Sequence, residues 1–351
     1  MGNNKVQQEG GNKAQKKTKK KFSWKTLICF LAFEFVFTAV TGVLIVFYGP
    51  FQNVKRTIVG TAMQTYTHQY IAKAFLSEEK IKAILNTGSN VEAGNNTAEA
   101  SSGSENQNLN EIKIQNKHDS KIERYDINGK KFDAYILEIK DPTRVKVGYT
   151  KKIGKEGQRT SQIAKENGAI AAINGGGFTD KSADGKLWAG TGAYPTGIVM
   201  SNGKTVYNDI TDSNAAFSVM ALTKSGYLLV GNHSINDLKK QGVVEALSFG
   251  PPLIINGKPQ RNLEPGINPR TAIGQKQDGT IIMLAIDGRQ GLKVGASLAE
   301  VQQIMLEHGA WNAINLDGGS STTMYYDGDL INSPCDPLGE RTVATAVYVE
   351  P

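Results

Sequence analysis

Residues 295–324 read GASLAEVQQIMLEHGAWNAINLDGGSSTTM, and this stretch decides the class of fold. The Ser-x-x-Glu pattern near its start is a capping box, which predicts a helix over residues 297–308. The apolar run 313–316 that follows is too short for a helix and predicts a buried strand. This strand stops at Asp317, where a glycine turn begins. A helix that leads into a buried strand indicates a domain that combines helices with sheet.

Short runs typical of β-strands recur through residues 111–351, the part of the chain assigned to one domain. They are 132–139, 169–173, 216–222, 227–230, 253–256, 271–274, 280–286, 313–316 and 343–349. One other helix is predicted, over 161–167. No repeat of about 20 to 50 residues is visible, which disfavours propellers and solenoids. The predicted class is α+β, a large mixed β-sheet core with few helices, preceded by one transmembrane helix and a helical stalk.

An apolar segment lies near the start of the chain. Residues 27–49 contain one charge in 23 positions, and a helix of that length can cross a hydrocarbon core of about 30 Å. The run is longer than the apolar region of a signal peptide and ends in bulky residues, so we expect an uncleaved transmembrane helix over 26–49 in contact with the lipid bilayer. Its charge, Glu34, marks either a partner helix or a shallow acid near the interface.

The charge of the chain is divided unevenly. The formal net charge is +7, from 40 basic and 33 acidic residues, and residues 1–25 carry the whole excess with eight lysines and one glutamate. Because this basic tail precedes the apolar segment, the positive-inside rule predicts a cytoplasmic N-terminus and an extracellular C-terminal domain on a bacterial cell membrane. A nucleic-acid-binding domain would keep its basic excess on the folded part, so no nucleic acid is expected as a partner.

Two segments separate the apolar helix from the domain. Apolar residues recur at three- and four-residue spacing over 54–85, which predicts an amphipathic stalk helix within 50–85. Its apolar stripe could pack on the bilayer, on the main domain, or on a second copy or another partner. Residues 86–110 lack aromatics and are rich in Asn, Ser, Gly and Glu, which predicts a disordered linker.

Two buried strands are predicted to end in glycine turns, at 174–177 and 317–323. Glycines after a buried strand allow backbone N–H groups to approach an anion, and hydroxyl side chains add further donors. Glycine clusters also form ordinary tight turns, and this alternative stays open for each cluster. The candidate binding residues at these ends are Asn174, Gly175, Gly176, Gly318, Gly319, Ser320 and Thr322.

Two carboxylates follow hydrophobic strands, Asp287 after 281–286 and Asp317 after 313–316. If these strands are neighbours, both acids face one cleft, the arrangement used in glycoside cleavage. The arginines that could hold a phosphate with their planar guanidinium groups are Arg270, Arg289 and Arg341. Each of them could equally form a structural salt bridge.

The sequence lacks the residue patterns of several other kinds of functional site. The histidines and the two cysteines have no spacing typical of a zinc site, and Cys29 and Cys335 are too far apart in the predicted topology to pair. No P-loop, dinucleotide fingerprint or G-x-S-x-G elbow occurs. No cofactor is predicted, and a divalent cation such as calcium at Asp287 or Asp317 stays an alternative without a signature.

Several motifs together resemble the phosphodiester glycosidase family, which includes uncovering-enzyme-like domains and bacterial exopolysaccharide biosynthesis proteins. They are INGGGF (173–178), GPPLIINGK (250–258), NPRTAIG (268–274), AIDGR (285–289), the stretch 295–324, NSP (332–334) and ER (340–341). They follow the family's order over roughly 120–350. The third glycine of NGGGF departs from the family pattern and could alter substrate choice.

The resemblance implies hydrolysis of a sugar-1-phosphodiester, such as an N-acetylglucosamine-1-phosphodiester, to the sugar and a phosphomonoester. It implies phosphate binding by Arg270, Arg289 and Arg341 and acid/base work by Asp287 and Asp317. Glu340 is a third candidate catalytic carboxylate. The resemblance implies that Glu340, Asn174, Ser320 and Thr322 would orient the sugar or the water.

The predicted function is thus a membrane-anchored extracytoplasmic hydrolase acting on glycans of the cell envelope or of exopolysaccharide. The alternative is a non-catalytic glycan-binding or assembly protein of polysaccharide biosynthesis.

Overall fold

In the computed structural model of the chain, the described residues are 23–52, 54–55, 58–59, 69–86, 107–179, 192–336 and 339–351. The chain divides into two compact units, Met1–Gln52 and Asn53–Pro351. Within the described residues, the helices with defined bounds are α1 (Trp24–Tyr48), α2 (Gln69–Lys73), α3 (Glu78–Asn86), α4 (Thr160–Glu166), α5 (Ile235–Lys240) and α6 (Leu298–Glu307). Most of the predicted basic tail and of the predicted linker lies outside the described residues.

Helix α1 is the predicted apolar segment. It has 25 residues, and its N-cap is Ser23, whose hydroxyl accepts a hydrogen bond from the Thr26 N–H. By length and composition it can cross a membrane, properties that it shares with a signal sequence near an N-terminus.

The predicted stalk helix over 54–85 is not continuous. Helix α2 ends at Lys73 and α3 begins at Glu78. The Ser77 hydroxyl accepts a hydrogen bond from the Lys80 N–H, so Ser77 caps α3, and two acidic residues follow it in the first turn. This local start signal outweighs the apolar periodicity that runs across it.

Three sheets form the main domain, and the largest has seven strands. In spatial order they are β1 (Ile122–Asn128), β2 (Asp133–Ile139), β16 (Ile281–Ile286), β15 (Arg270–Lys276), β17 (Ala310–Leu316), β13 (Pro252–Ile255) and β14 (Lys258–Pro259).

The other two main sheets have five strands each. One is β11 (Leu228–His233), β10 (Phe217–Thr223), β12 (Val243–Ser248), β8 (Ile198–Ser201) and β9 (Lys204–Asn208). The other is β19 (Asp329–Leu330), β18 (Met324–Tyr326), β5 (Ala171–Asn174), β21 (Thr345–Val349) and β3 (Val145–Tyr149). Two short pairs complete the set: β4 (Gln158–Arg159) with β20 (Thr342–Val343), and β6 (Phe178–Thr179) with β7 (Tyr194–Pro195).

All nine predicted runs fall on strands, and the pairings between the described strands are antiparallel. The predicted α+β class with a large sheet core and few helices is confirmed.

The three sheets share one hydrophobic core. Their inner faces contribute side chains such as Met283, Val347 and Met220, one from each sheet. The outer face of the seven-stranded sheet packs against α6, which buries Leu298, Val301 and Met305 at helical spacing. Helices α5 and α4 cover the outer faces of the two smaller sheets in the same way. The central strands of each sheet are therefore buried on both faces, whereas the edge strands β1, β9, β14 and β19 carry exposed residues.

Candidate active site

The site lies where strands of two sheets end. Strand β15 runs antiparallel to both β16 and β17, with Arg270 opposite Ile286 and Thr271 opposite Leu316. Asp287 and Asp317 follow the two flanking strands and therefore lie at the edge where β15 begins. One strand separates them, which places their backbones about 10 Å apart. The predicted acids thus share an edge, although their strands are not direct neighbours.

Asn174, at the end of β5, ties this edge to the neighbouring sheet. Its Nδ2 donates to the Asp317 carbonyl at 2.5 Å, and its Oδ1 accepts from the Thr271 hydroxyl at 2.7 Å and from the Thr323 N–H at 3.1 Å. The Asp317 N–H donates to the Gly175 carbonyl at 3.1 Å. Asn174 is fully buried and fixes the loop, whereas Asp317 is held by its backbone and is half-buried.

The glycines after Asn174 serve close packing. Their N–H groups donate within the protein, from Gly175 to the Thr345 carbonyl, from Gly176 to the Thr345 hydroxyl and from Gly177 to the Ser248 carbonyl. A Cβ on Gly175 would lie 2.5 Å from the Thr345 hydroxyl oxygen. The expectation that Gly175 and Gly176 offer free N–H groups to a phosphate is therefore corrected, because neighbouring strands use these donors.

The second glycine turn has a different environment. The Gly319 N–H donates to the Pro269 carbonyl at 2.9 Å, and residues 319–321 form one turn of 3-10 helix. The next side chains, Ser321, Thr322 and Thr323, are buried, and their hydroxyl oxygens have no hydrogen-bond partner in the described part of the chain. A buried polar group without a partner costs about 1–3 kcal/mol.

Arg289 lies against this turn. A Cβ on Gly319 would be 3.4 Å from both Nη atoms of Arg289, so the guanidinium packs on that glycine. Its Nη2 donates to the Asn268 side-chain oxygen at 2.6 Å, and it also contacts the Cys335 sulfur. Burial lowers the pKa of Arg289. Among the described residues no carboxylate forms an ion pair with it. The result is a mostly buried positive charge next to a turn of unsatisfied hydroxyls.

Arg270 is buried more deeply. Its Nε donates to the Ala296 carbonyl at 3.1 Å and its Nη2 to the Gly266 carbonyl at 2.7 Å. Burial, and then the charge of Arg289, lower the pKa of Arg270 to about 10. The two positive charges therefore lie close enough to interact, and the negative charge of Glu264 acts on Arg270 in the opposite direction.

The third predicted arginine has an aromatic partner. The Arg341 guanidinium carbon lies 5.1 Å from the centre of the Phe178 ring, a cation–π contact beside the first glycine turn.

Asp287 is almost fully buried and holds the segment that begins at Asn332. Its Oδ1 accepts from Asn332 Nδ2 at 2.9 Å and its Oδ2 from the Ser333 N–H at 2.9 Å. The Tyr135 hydroxyl lies near this carboxylate. Burial raises the pKa of Asp287 by more than these hydrogen bonds lower it. Both oxygens already have partners within the protein.

Glu340 caps helix α4. Its two carboxylate oxygens accept hydrogen bonds from the Ser161 N–H at 2.7 Å and the Ser161 hydroxyl at 2.5 Å. An acidic group at a helix N-terminus is stabilised there by the exposed N–H groups. No described hydrogen bond brings Glu340 to Asp287.

Some residues of the site were not among the predicted ones. Tyr135 lies in the middle of β2, and only the pairing of β2 with β16 brings it to Asp287. Asn268 and Asn332 stand in the motifs NPR and NSP, but their side-chain partners are 21 and 45 residues away in the chain. In the portion described, no three His, Cys, Asp or Glu side chains could together hold a metal ion.

Comparison with known proteins identifies the family and the fold. A family model described as phosphodiester glycosidase matches residues 167–350, just over half of the chain. The N-acetylglucosamine-1-phosphodiester alpha-N-acetylglucosaminidase of Bos taurus is 28% identical over 214 residues, 54% of this chain and 38% of that protein. An SPbeta prophage-derived protein of Bacillus subtilis is 27% identical over 229 residues, 62% of this chain.

The chain spans 33–38% of the length of these two curated relatives. Among solved structures, the catalytic domain of the zebrafish N-acetylglucosamine-1-phosphodiester alpha-N-acetylglucosaminidase, auto-inhibited by its pro-peptide, superposes with a TM-score of 0.56 at 23% identity. The superposition covers 68% of this chain and 86% of that domain. The fold is therefore shared with that domain.

Proposed function

Because the chain belongs to the phosphodiester glycosidase family, we propose that it hydrolyses sugar-1-phosphodiesters of the N-acetylglucosamine-1-phosphodiester type. The observation that carries this proposal is Arg289, a mostly buried guanidinium whose side-chain hydrogen-bond acceptor is the neutral Asn268 and which packs on Gly319. The unpartnered hydroxyls of 321–323 follow directly in the chain. An anionic phosphate diester complements this set in charge and in hydrogen bonding.

The leaving group of the proposed reaction is a phosphate monoester. The bond between the sugar C1 and the phosphate oxygen breaks, and its electron pair stays on the phosphate. A phosphate monoester is a good leaving group, since its second pKa is about 6. It needs stabilisation of negative charge more than a strong acid. Arg289, with the field of Arg270, supplies that stabilisation.

A base then has to activate the water. The water oxygen bonds to C1, and its proton goes to a carboxylate. We assign this role to Asp317, because its backbone is fixed at the edge of β15 while its side chain is half-buried. Asp287, whose two oxygens are bonded to Asn332 and Ser333, would position the segment at the other side of the site.

The proposed location is the outer face of a bacterial cell membrane. Helix α1 would anchor the chain, and the lysine-rich segment before it would stay in the cytoplasm. The substrates would then be phosphodiester-linked glycans of the cell envelope or of exopolysaccharide.

One observation favours a second candidate, a non-catalytic glycan-binding or assembly protein. Of the three predicted carboxylates, Asp287 and Glu340 have both oxygens bonded within the protein. A site whose carboxylates are held in this way could bind a phosphodiester without cleaving it.

Turnover of methyl N-acetylglucosamine-1-phosphodiester by the full chain in detergent separates the two candidates. We expect the wild-type chain to release N-acetylglucosamine and methyl phosphate. Asp317→Asn should lower kcat by about 10²–10⁴-fold, because the base is lost, with KM changed much less. The control is Asp329→Asn, an exposed acid on β19 outside the site, which should behave as wild type.

Wild-type turnover that survives Asp317→Asn unchanged would refute the assigned base. Binding without turnover over a broad panel of sugar phosphodiesters would instead establish the non-catalytic alternative.

A further inference from the structure

Asn268 connects the segment before β15 to Arg289. Its side-chain oxygen accepts from Arg289 Nη2 at 2.6 Å, the shortest hydrogen bond that the structure describes for this guanidinium. Asn268 itself is 2% exposed. Arg289 has a left-handed backbone with a φ of 58°, a conformation that side chains larger than glycine adopt rarely. The amide therefore holds a guanidinium that projects from an unusual backbone position.

The position of Asn268 leaves little freedom. Its N–H donates to the Ala296 carbonyl at 3.1 Å, and its carbonyl accepts from the Ala296 N–H at 2.9 Å. Gly295, with a φ of 108°, packs so closely that a Cβ there would overlap the carbonyl group of Asn268. The backbone is thus fixed on both sides, and the side-chain oxygen is aimed before any ligand arrives.

The acceptor that Asn268 offers to Arg289 is a neutral amide and not a carboxylate, and this difference affects the charge of the site. A carboxylate at the same place would accept the same hydrogen bond, but it would also form a buried ion pair and cancel the charge of Arg289. The amide oxygen orients the guanidinium and leaves its positive charge available. We propose that Asn268 is a positioning residue that aims Arg289 at the substrate phosphate without neutralising it. This inference rests on the proposed function.

Two substitutions separate this role from a purely structural one. Asn268→Asp keeps the acceptor and the shape but adds a negative charge, whereas Asn268→Ala removes the acceptor and keeps the neutral surroundings. If Asn268 serves to keep the charge of Arg289 available, the aspartate variant should lose more phosphate affinity than the alanine variant. If Asn268 has only a structural role, the aspartate variant should lose less.

The probe is inorganic phosphate, titrated calorimetrically into the full chain in detergent near pH 7.5, together with KM and kcat for the methyl phosphodiester. We expect Asn268→Asp to weaken phosphate binding by about thirtyfold or more and Asn268→Ala by about three- to tenfold. The same order should appear in KM, with kcat changed less. The matched control is Asn312→Asp.

Asn312 is a buried asparagine on β17, and its Oδ1 accepts from the Asn256 N–H. It lies four positions along β17 from Leu316, about 13 Å from the site edge. A carboxylate there adds buried charge without reaching Arg289, so phosphate affinity should be unchanged.

A mutant cycle keeps the inference testable if Asn268→Asp does not fold. Because Asn268 acts through Arg289, Asn268→Ala should cost phosphate affinity in the wild-type background and nothing further in an Arg289→Ala background. Equal losses in both backgrounds would overturn the inference, as would an aspartate variant milder than the alanine variant.

If the wild-type chain binds phosphate and neither Asn268 variant changes that affinity, the inference about Asn268 is wrong and the proposed function is not affected. A wild-type chain that neither binds phosphate nor turns over the phosphodiester would overturn the proposed function, and this inference with it.

Discussion

The three arginines predicted to bind phosphate have three different environments. Arg270 donates to backbone carbonyls, Arg341 lies over the Phe178 ring, and Arg289 contacts Asn268 and the glycine turn at Gly319. The contacts described for Arg289 combine burial, a neutral side-chain acceptor and adjacent unsatisfied hydroxyls. We therefore expect Arg289 to contribute most to phosphate affinity.

Arg289→Lys tests this expectation at the level of one residue. The substitution keeps the charge but loses the planar fork that can bond two phosphate oxygens at once, and the lysine cannot keep the Asn268 contact in the same geometry. We expect kcat/KM for the methyl phosphodiester to fall by about ten- to a hundredfold, mainly through KM.

The matched control for that measurement is Arg124→Lys on β1, where the arginine pairs with Asp126 at the surface. It should leave both constants unchanged. A wild-type KM in Arg289→Lys would show that the guanidinium does not bind the phosphate.

At the level of elements, polar side chains join the edges of the sheets. Edge strands carry unpaired N–H and C=O groups that need partners. The Glu245 carboxylate on β12 accepts from the Val147 N–H on edge strand β3 and from the Asn202 N–H. Gln107 bonds to both Leu228 and Val230 on edge strand β11, so the main domain already includes the end of the predicted linker.

Glu245→Gln should therefore weaken the contact between the two five-stranded sheets and lower the free energy of unfolding. Both oxygens accept hydrogen bonds, and an amide would set its NH₂ against one of the two N–H donors, at a cost of about 1–3 kcal/mol in unfolding free energy. The measurement is denaturant unfolding of the full chain in detergent, followed by tryptophan fluorescence. Exposed Glu156→Gln is the control.

The same variant has a predicted pH dependence. Burial raises the pKa of Glu245 in the folded state above its unfolded value. The folded state then binds more protons, so this group's contribution to stability falls as pH rises from about 4.5 through the raised pKa. The difference between wild type and Glu245→Gln should shrink over that window. A difference that grows with pH would contradict the assignment.

At the scale of the whole molecule, the charge is segregated along the chain. Residues 1–25 carry the whole net charge of +7, and the rest is neutral. A neutral domain does not attract a polyanion over long distances. Any phosphate recognition therefore depends on local groups such as Arg289, and the charge of the basic tail is the basis of the membrane orientation proposed above.

Protease added to intact bacterial cells that express the full chain tests that orientation. We expect cleavage between 87 and 106, because the composition of this part of the predicted linker is typical of disorder, and release of the domain that follows. A tag at the N-terminus should stay protected until the cells are lysed. A domain that survives on intact cells but is cut after lysis would place it inside.

Local signals in the sequence were enough for much of the fold. The nine strand runs and the capping box of α6 follow from apolar patterning and from contacts between residues three positions apart, as in the Ser297–Glu300 pair. The glycine motifs and the placement of Asp287 and Asp317 at strand ends were predictable for the same reason. Charge segregation is a property of composition alone.

Only the tertiary structure decided what the site residues do. The Ser161–Glu340 pair spans 179 positions and the Asn174–Asp317 pair spans 143. Such partners are set by which strands become neighbours, and here β15 separates the two acid-bearing strands. This is why Glu340 caps a helix, Gly175 and Gly176 use their N–H groups internally, and Asn268 meets Arg289. The sequence alone determined the helices, the strands and the types of side chain at their ends. The tertiary structure decided which of those side chains have hydrogen-bond partners within the protein, because such partners meet only when distant strands pair and the sheets pack.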